Sequence, residues 1–137
     1  MKNTLKPGLE LTWRITVDRD RTIDFMGEEA RVYGTPHMVC DIEETCRELM
    51  LAHADAGEDS VGIRIDVGHS APTLLGMAVE LTVTVKEVDG RRIIFQVVGR
   101  DPVDEICRGV HERVAVDTAK LLARLKAKAG MAPVAAA

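Results

Sequence analysis

The chain has 137 residues, close to the commonest size of a single domain and long enough to bury one hydrophobic core. Its formal net charge is -4, its acidic and basic residues are interleaved, and it lacks a basic stripe with aromatic residues, which argues against a nucleic-acid-binding protein. No apolar run approaches the ~18 to 20 residues of a membrane-spanning helix, and no secretory signal is visible, so the expected location is the cytoplasm.

The first part of the chain is predicted to contain one strand, a long loop and the start of a helix. Apolar and polar residues alternate over 9–17, which is typical of a strand with one buried face. The charged, irregular segment 18–31 is predicted to be a loop, and a loop of this length is often a lid or a binding loop. Thr35 and Pro36 then indicate a helix start, because a threonine hydroxyl can cap the first turn and proline suits the first helical position.

The predicted helix covers about residues 36–53 and is expected to be the long buried element of the fold. Its apolar face carries Met38, Val39, Ile42, Cys46, Leu49, Met50 and His53. Asp41, Glu44 and Glu48 fall on the opposite face, so we expect them in solvent. His37 and Asp41 lie on that polar face at helical spacing, and we interpret them as a solvated pair rather than a metal site.

Antiparallel strands make up most of the remaining chain. Strand patterns occur at residues 60–71, 77–88, 93–99 and 106–116. Asp89-Gly90 is predicted to form a two-residue hairpin turn. A short helix is predicted at 118–129 and a disordered tail at 130–137. This order of elements predicts an α+β fold in a single domain, residues 1–137, with the long helix wrapped by the sheet. Such a sheet leaves an exposed edge strand, and pairing of two edges predicts a symmetric dimer.

Polar residues near the long helix are the candidates for chemistry. Glu43 lies at the rim of the apolar face. It is either a reactive carboxylate or a rim group that reaches water or pairs with an arginine. His69 should point toward the helix. It is either a catalytic imidazole or a core histidine bonded to a carbonyl. Thr35 is explained as a helix cap, yet a hydroxyl at a helix N-terminus can also stabilise an oxyanion. The apolar residues that share the strand parity of His69 are Val61, Ile63, Ile65 and Val67.

Two strands carry further candidates. His111 and Arg113 share one face of the last long strand, and Arg113 could bind a carboxylate or phosphate, or pair with an acid on a solvated face. Gly62 and Gly68 lie on the opposite parity to His69, and strand glycines often mark close approach to a ligand. The three cysteines lack Cys-x-x-Cys spacing, so we interpret them as reduced thiols, and no metal or cofactor is expected.

Several segments together resemble the hot-dog-fold thioesterases, in particular the fluoroacetyl-CoA thioesterase group. The resemblance covers most of the chain, from about residue 8 to residue 128, and the segments keep a consistent relative spacing. They are YGTPHMVCDIEETC at the helix, SVGIRIDVGHSAPTLLGM through the second predicted strand, EVDGRRIIFQV at the hairpin and DEICRGVHERVAV in the last strand.

The resemblance implies a hot-dog fold with a catalytic set of Thr35, Glu43 and His69, and with Gly62 and Arg113 holding substrate or ordering the site. It implies a site at the interface of a homodimer or higher oligomer, and hydrolysis of a short acyl-CoA thioester to a carboxylate and CoA. Glu43 would attack the thioester or activate water, and His69 would shuttle protons. Thr35 would orient Glu43 or stabilise the oxyanion.

The segment before the helix departs from this group. Where the fluoroacetate-specific enzyme has a phenylalanine-rich lid, this chain has Met26 and Glu29 within FMGEEARVYG, so the resemblance does not extend to fluoroacetyl selectivity. Two other functions stay open. One is a non-catalytic protein that binds an acyl-CoA or an acyl metabolite. The other, ranked lower, is a hot-dog enoyl-CoA hydratase, whose Asp-x-Asn-Pro-x-His helix start is only partly matched by Thr35-Pro36-His37.

Overall fold

A computed structural model describes residues 1–133, which form a five-stranded antiparallel sheet with one long helix packed against it. In chain order the elements are β1 (Glu10–Thr16), β2 (Thr22–Ile23), β3 (Val32–Tyr33), α1 (Thr35–Leu51), β4 (Glu58–His69), β5 (Ala78–Asp89), β6 (Arg92–Arg100), β7 (Glu105–Asp117) and α2 (Thr118–Ala129). The order in the large sheet is β1-β5-β6-β7-β4, and β2 pairs with β3 separately. The expected α+β fold, with a long helix against an antiparallel sheet, is confirmed.

The hydrophobic core lies between α1 and the central strands. Alternate residues of β5 and β6 point into it, as the period of two predicts. The buried side chains are Val79, Leu81, Val83 and Val85 of β5, Ile93, Phe95 and Val97 of β6, and Met38, Ile42, Cys46, Leu49 and Met50 of α1. Complete burial of each large aliphatic side chain contributes about 1.5–3 kcal/mol, so this layer fixes the position of α1 on the sheet.

The hairpin between β5 and β6 turns one residue later than the sequence suggests. Asp89 pairs with Arg92, so the two central residues of the turn are Gly90 and Arg91 rather than Asp89 and Gly90. Gly90 has a φ of 58°, whereas no residue other than glycine has a positive φ within residues 1–133. Positive φ at the first central position alone is the pattern of a type II′ turn, which requires glycine there.

Strand β4 forms an edge of the sheet, and its burial differs from the prediction. Val61, Ile63 and Ile65 were expected to face the helix, but they are 38%, 52% and 40% exposed. The register with β7 shifts between Gly62 and Arg64, which marks a β-bulge that changes the direction of the side chains. Helix α1 does pack against β4, through Gly62 and His69, so the exposed side chains lie where the bulge turns them away from the helix. The edge strand therefore presents an open apolar surface.

The segment before α1 is more ordered than the predicted loop. It contains two short 3-10 turns, Arg19–Arg21 and Glu28–Ala30, and the β2–β3 pair. The β2–β3 pair brings Tyr33 next to Thr22 and carries the chain directly into α1. This segment is therefore a folded flap beside the start of the long helix.

The C-terminal part begins with a capped helix. The Asp117 side chain accepts a hydrogen bond from the Lys120 amide at 3.0 Å, at the start of α2. The predicted disordered tail covers 130–137, of which residues 134–137 lie outside the described residues. Within residues 1–133, no helix is both long enough and apolar enough to span a membrane.

Candidate active site

Thr35 lies at the start of α1 but does not cap it. The helix begins at Thr35, Gly34 occupies the cap position, and no side chain accepts from the first turn, so the predicted role of Thr35 as the cap is wrong. A Cβ atom on Gly34 would lie 2.6 Å from His37 Cδ2 and 2.9 Å from Ile23 Cγ2, so glycine allows close contact here between the flap and the helix start. The Thr35 hydroxyl instead lies 2.8 Å from Nδ1 of His69.

His69 ends strand β4 and contacts the helix start on one side. Its ring packs edge-on against Tyr33, with the ring centroids 6.4 Å apart and the planes at 77°. The other ring nitrogen, Nε2, is buried without a hydrogen-bond partner in the described chain. Burial lowers the pKa of His69 from its ordinary value, which favours the neutral imidazole at neutral pH. A neutral imidazole with one free nitrogen can accept or donate a proton.

Thr35 and His69 line a small cavity between the flap and the end of β4. Its volume is about 260 Å³. The residues around it are Ile23, Val32, Tyr33, Thr35, His69, Ser70, Ala71 and Pro72. Ile23, Val32, Ala71 and Pro72 supply apolar wall, and the other four residues carry polar groups, a mixture that suits a small-molecule site.

Glu43 lies two turns further along α1, against the backbone of β4. Its side chain is 44% exposed, so the carboxylate is at the rim as expected. A Cβ atom on Gly62 would clash with Glu43 Oε1, so only glycine at this position lets the carboxylate approach the strand. The bulge after Gly62 explains how this glycine faces α1 although its parity is opposite to that of His69.

Arg113 is buried behind Glu43 rather than on a solvated face. Its Nη1 lies 3.7 Å from Glu43 Oε1. Nε and Nη2 donate to the hydroxyl and the carbonyl of Ser60 at 2.8 and 2.9 Å. Burial lowers the pKa of Arg113, and the charge of Glu43 opposes that shift. A buried guanidinium with fixed partners can orient the carboxylate in front of it.

His111 is a member of this group that the sequence interpretation left on a polar face. It is only 1% exposed. Nδ1 lies 2.8 Å from the Arg64 carbonyl and Nε2 lies 3.2 Å from Arg113 Nη1. Because a carbonyl only accepts and a guanidinium only donates, the ring carries its proton on Nδ1. Burial lowers the pKa of His111, consistent with this neutral form.

The candidate residues form two groups within one protomer. Thr35 contacts His69, and Glu43 contacts Gly62 and Arg113. Eight residues of helix separate Thr35 from Glu43, which is about 12 Å along the axis. The chain thus assembles each group separately and does not bring all five residues to one point.

Asp41 is a further residue that the sequence pattern misplaced. It was expected in solvent with His37, but it is 4% exposed. Arg21 donates to both of its carboxylate oxygens, at 2.9 and 3.1 Å, and the Tyr33 hydroxyl donates to the same carboxylate. Arg21 and Tyr33 both belong to the flap, whose folding the sequence did not predict, so the partners that allow Asp41 to be buried could not be identified.

Metal ligation has no candidate group in the part of the chain that the structure describes. Within residues 1–133, no three histidine, cysteine, aspartate or glutamate side chains cluster closely enough to hold an ion. The site residues found here are a carboxylate, an imidazole, a hydroxyl and a guanidinium. These groups can carry out general acid–base and nucleophilic chemistry by themselves.

Comparison with known proteins identifies the family. A family model described as fluoroacetyl-CoA-specific thioesterase matches residues 17–119. The chain belongs to this thioesterase family. The fluoroacetyl-CoA thioesterase of Streptantibioticus cattleyicolor is 32% identical over 135 residues, which cover 93% of this chain and 97% of that protein.

Solved structures agree with the family membership. A structure of the fluoroacetyl-CoA thioesterase FlK superimposes with a TM-score of 0.84 at 31% identity, covering 90% of this chain and 97% of that one. A thioesterase superfamily member from Thermus thermophilus gives a TM-score of 0.79 at 28% identity, covering 92% and 96%. A hot-dog-like protein from Thermanaerovibrio acidaminovorans gives 0.82 at 27% identity, covering 89% and 91%. The chain therefore has the hot-dog fold of these thioesterases.

Proposed function

We propose that this protein hydrolyses the thioester of a short-chain acyl-CoA to a carboxylate and CoA. The observation that carries the proposal is the setting of Glu43. Its half-exposed carboxylate lies against Gly62 and 3.7 Å from a buried arginine, on the same helix whose first residue contacts His69. Family membership supports thioester hydrolysis as the reaction class, and the small cavity beside Thr35 suits a short acyl group.

In the proposed reaction, the bond between the carbonyl carbon and sulfur breaks and water supplies the new oxygen. Glu43 either takes a proton from water as the water attacks, or attacks the carbonyl itself to give an anhydride that water then opens. The leaving thiolate receives a proton through His69. The Thr35 hydroxyl, bonded to His69, stabilises the oxyanion of the tetrahedral intermediate or orients Glu43.

The two separated groups are brought together in this proposal by a homodimer. The outer edge of β4 carries exposed Val61, Ile63 and Ile65, and an open apolar edge strand is a natural pairing surface. Antiparallel pairing of two β4 edges would set the Gly62 half of one strand beside the His69 half of its partner. Glu43 of one protomer would then approach the Thr35–His69 pair of its partner. A dimer or higher oligomer, acting in the cytoplasm, is part of this proposal.

A thiol-release assay tests the reaction and the acyl preference together. Purified protein is incubated with acetyl-, propionyl-, butyryl- and fluoroacetyl-CoA, and free CoA is measured with a thiol reagent. We expect release well above the rate without protein, fastest for the shortest acyl groups. Background rates with every ester, together with measurable acyl-CoA binding, would replace the hydrolase by a non-catalytic binder. Loss of the enoyl absorbance of crotonyl-CoA without thiol release would instead favour a hydratase.

Assembly is tested separately by light scattering. We expect the mass of a dimer or a higher multiple of the protomer. Ile63→Lys, which places a charge on the exposed β4 edge, should shift the mass toward the monomer and lower thiol release together. An active monomer would contradict a site shared between protomers, without affecting the assignment of Glu43.

A further inference from the structure

Asp41 has a setting that the proposed reaction does not explain. A carboxylate on the long helix is buried and bound on both oxygens by Arg21, and its third donor is the Tyr33 hydroxyl. Burial of a charge is costly unless it is fully paired, so this arrangement requires each of the three side chains. We refer to Arg21, Tyr33 and Asp41 as the flap clamp.

The flap clamp joins three parts of the chain, and one of its members, Tyr33, lines the cavity. Asp41 lies on α1, Arg21 ends the first 3-10 turn of the flap, and Tyr33 ends β3. Backbone bonds reinforce the connection, since the Gly34 amide donates to the Arg21 carbonyl at 2.9 Å and the Tyr33 amide donates to the Thr73 carbonyl at 2.8 Å. The flap is therefore attached to the helix by the side chains of Arg21 and Tyr33, and its backbone is bonded within the flap and to Thr73 after β4.

Tyr33 connects the clamp to the candidate site. Its ring lines the cavity and packs edge-on against His69, and its hydroxyl is held by Asp41. Two residues further along the chain, Thr35 contacts His69 Nδ1. The Tyr33 ring thus contacts the His69 ring while its hydroxyl is held by Asp41, and Thr35 contacts His69 at Nδ1.

We propose that the flap clamp positions His69: Asp41 and Arg21 fix the Tyr33 ring, and the ring fixes the imidazole against Thr35. The proposal assigns Tyr33, Asp41 and Arg21 as positioning residues, with no direct contact to the reacting atoms. The expected changes in kcat rest on the proposed thioester hydrolysis. The expected changes in the orientation and solvation of His69 are independent of that reaction.

Three conservative substitutions test the clamp. Tyr33→Phe removes only the hydroxyl, Asp41→Asn keeps the shape but removes the charge, and Arg21→Lys keeps the charge but loses the planar fork. Each should lower kcat about tenfold while KM stays within about twofold, because a misplaced proton-transfer group slows chemistry more than binding. Each should also raise the titration midpoint of His69, followed by NMR of its ring protons, toward its ordinary value as water reaches the ring.

Two control variants separate positioning from general stability. Asp18→Asn alters an exposed partner of the same Arg21, 2.7 Å from its Nη1, without touching Tyr33. Val83→Ala lowers stability from β5, which lies three strands away from β4 in the sheet. Both should leave kcat and the His69 titration unchanged at temperatures below unfolding.

The outcomes distinguish this inference from the proposed function. If Tyr33→Phe and Arg21→Lys melt at lower temperature but keep the wild-type kcat and His69 titration, as Val83→Ala does, the clamp is structural only and the inference is wrong. If the wild-type protein releases no thiol, the NMR titration alone decides, since it needs no turnover. If Asp41→Asn does not fold, the other two substitutions decide, because both leave the buried carboxylate in place.

Discussion

The start and the middle of α1 hold their polar side chains in different ways. At the middle, Glu43 contacts a buried Arg113, which is bound in turn by Ser60 and His111. At the start, Thr35 and His69 contact each other, and Nε2 of His69 has no partner within residues 1–133. The middle is thus ordered by contacts within the protomer, whereas at the start one nitrogen of the imidazole is left without a hydrogen-bond partner among the described residues.

This difference separates stability from activity along one helix. A hydrogen bond within a buried network contributes to folding, and removing one partner leaves the other unsatisfied at a cost of about 1–3 kcal/mol. A hydroxyl at a half-exposed cavity contributes little to folding and can be removed at small cost. Substitutions in the middle should therefore change stability and activity together, while those at the start should change activity alone.

The largest expected effect follows Glu43→Gln. We expect thiol release to fall at least about 100-fold, because the amide can neither attack the thioester nor accept a proton from water. The protein should still fold, because the amide keeps the shape of the carboxylate, but its melting temperature should fall by a few degrees, because the buried Arg113 loses its charged partner. Glu44→Gln, at the exposed neighbouring position, is the matched control and should retain full activity. Wild-type turnover in Glu43→Gln would remove Glu43 from the mechanism.

Gly62→Ala should affect both properties of the middle group. The added Cβ would clash with the Glu43 carboxylate, so the helix or the side chain must shift. The carboxylate can move away, but the buried His111 ring, whose Cε1 would lie 3.1 Å from the new Cβ, must also shift, so we expect a loss of about 1 kcal/mol in the free energy of unfolding and about a tenfold or larger fall in kcat. Urea unfolding and thiol release measure the two effects.

The control for this substitution lies in the same strand. A Cβ added to Gly68 would meet only the Arg108 carbonyl, at 4.0 Å, so Gly68→Ala fits without displacement. We expect its stability and kcat to remain near wild type. Equal losses in both alanine variants would mean that strand flexibility, rather than contact with Glu43, is what Gly62 provides.

Most of the fold could be predicted from the sequence because its elements have regular patterns. The period of two located β1, β5 and β6, and the helical period located the apolar face of α1. The turn at Gly90 was misplaced by one residue because either of two neighbouring pairs satisfies the composition of a short hairpin. The bulge in β4 was not predicted, because one extra residue leaves no compositional signal in an alternating strand.

The candidate site was only partly predictable. Glu43 at the helix rim and the approach of His69 to the helix start followed from periodicity, and both contacts are present in the structure. The burial of Asp41 and His111 did not follow, since each depends on partners far away in the chain, Arg21 in one case and Arg64 in the other. Helical periodicity describes one element and cannot include partners that the tertiary fold supplies.

Thr35→Val tests the start of the helix alone. It removes the hydroxyl that contacts His69, while the helix loses no cap because Gly34 occupies that position. We expect kcat to fall about tenfold and the melting temperature to stay within a few degrees. Thr35→Ser keeps the hydroxyl and should restore most of the rate. A large loss of stability in Thr35→Val would contradict the separation between the two ends.

The smallest effect, and the one that tests the middle most directly, is the pH dependence of stability through His111. Burial lowers its pKa in the folded protein, so the unfolded chain binds more protons. Stability from this group is therefore complete above the ordinary histidine pKa of about 6.5 and declines as the pH falls below it. The physical reason is that a protonated His111 could no longer accept from Arg113, and would place a second cation beside a buried guanidinium.

Urea unfolding between pH 5.5 and 7.5 measures this dependence, since carboxylates titrate mainly below that range. We expect stability to rise with pH in the wild type and to rise less steeply in His111→Gln, whatever the absolute stability of that variant. His69→Gln should reduce the slope of stability against pH less than His111→Gln does, because His69 is only partly buried. The same variant should abolish the acid limb of the pH profile of kcat/KM. Equal slopes in the wild type and His111→Gln would mean that the pKa of His111 is the same in the folded and the unfolded protein, so that its burial beside Arg113 does not favour the neutral ring.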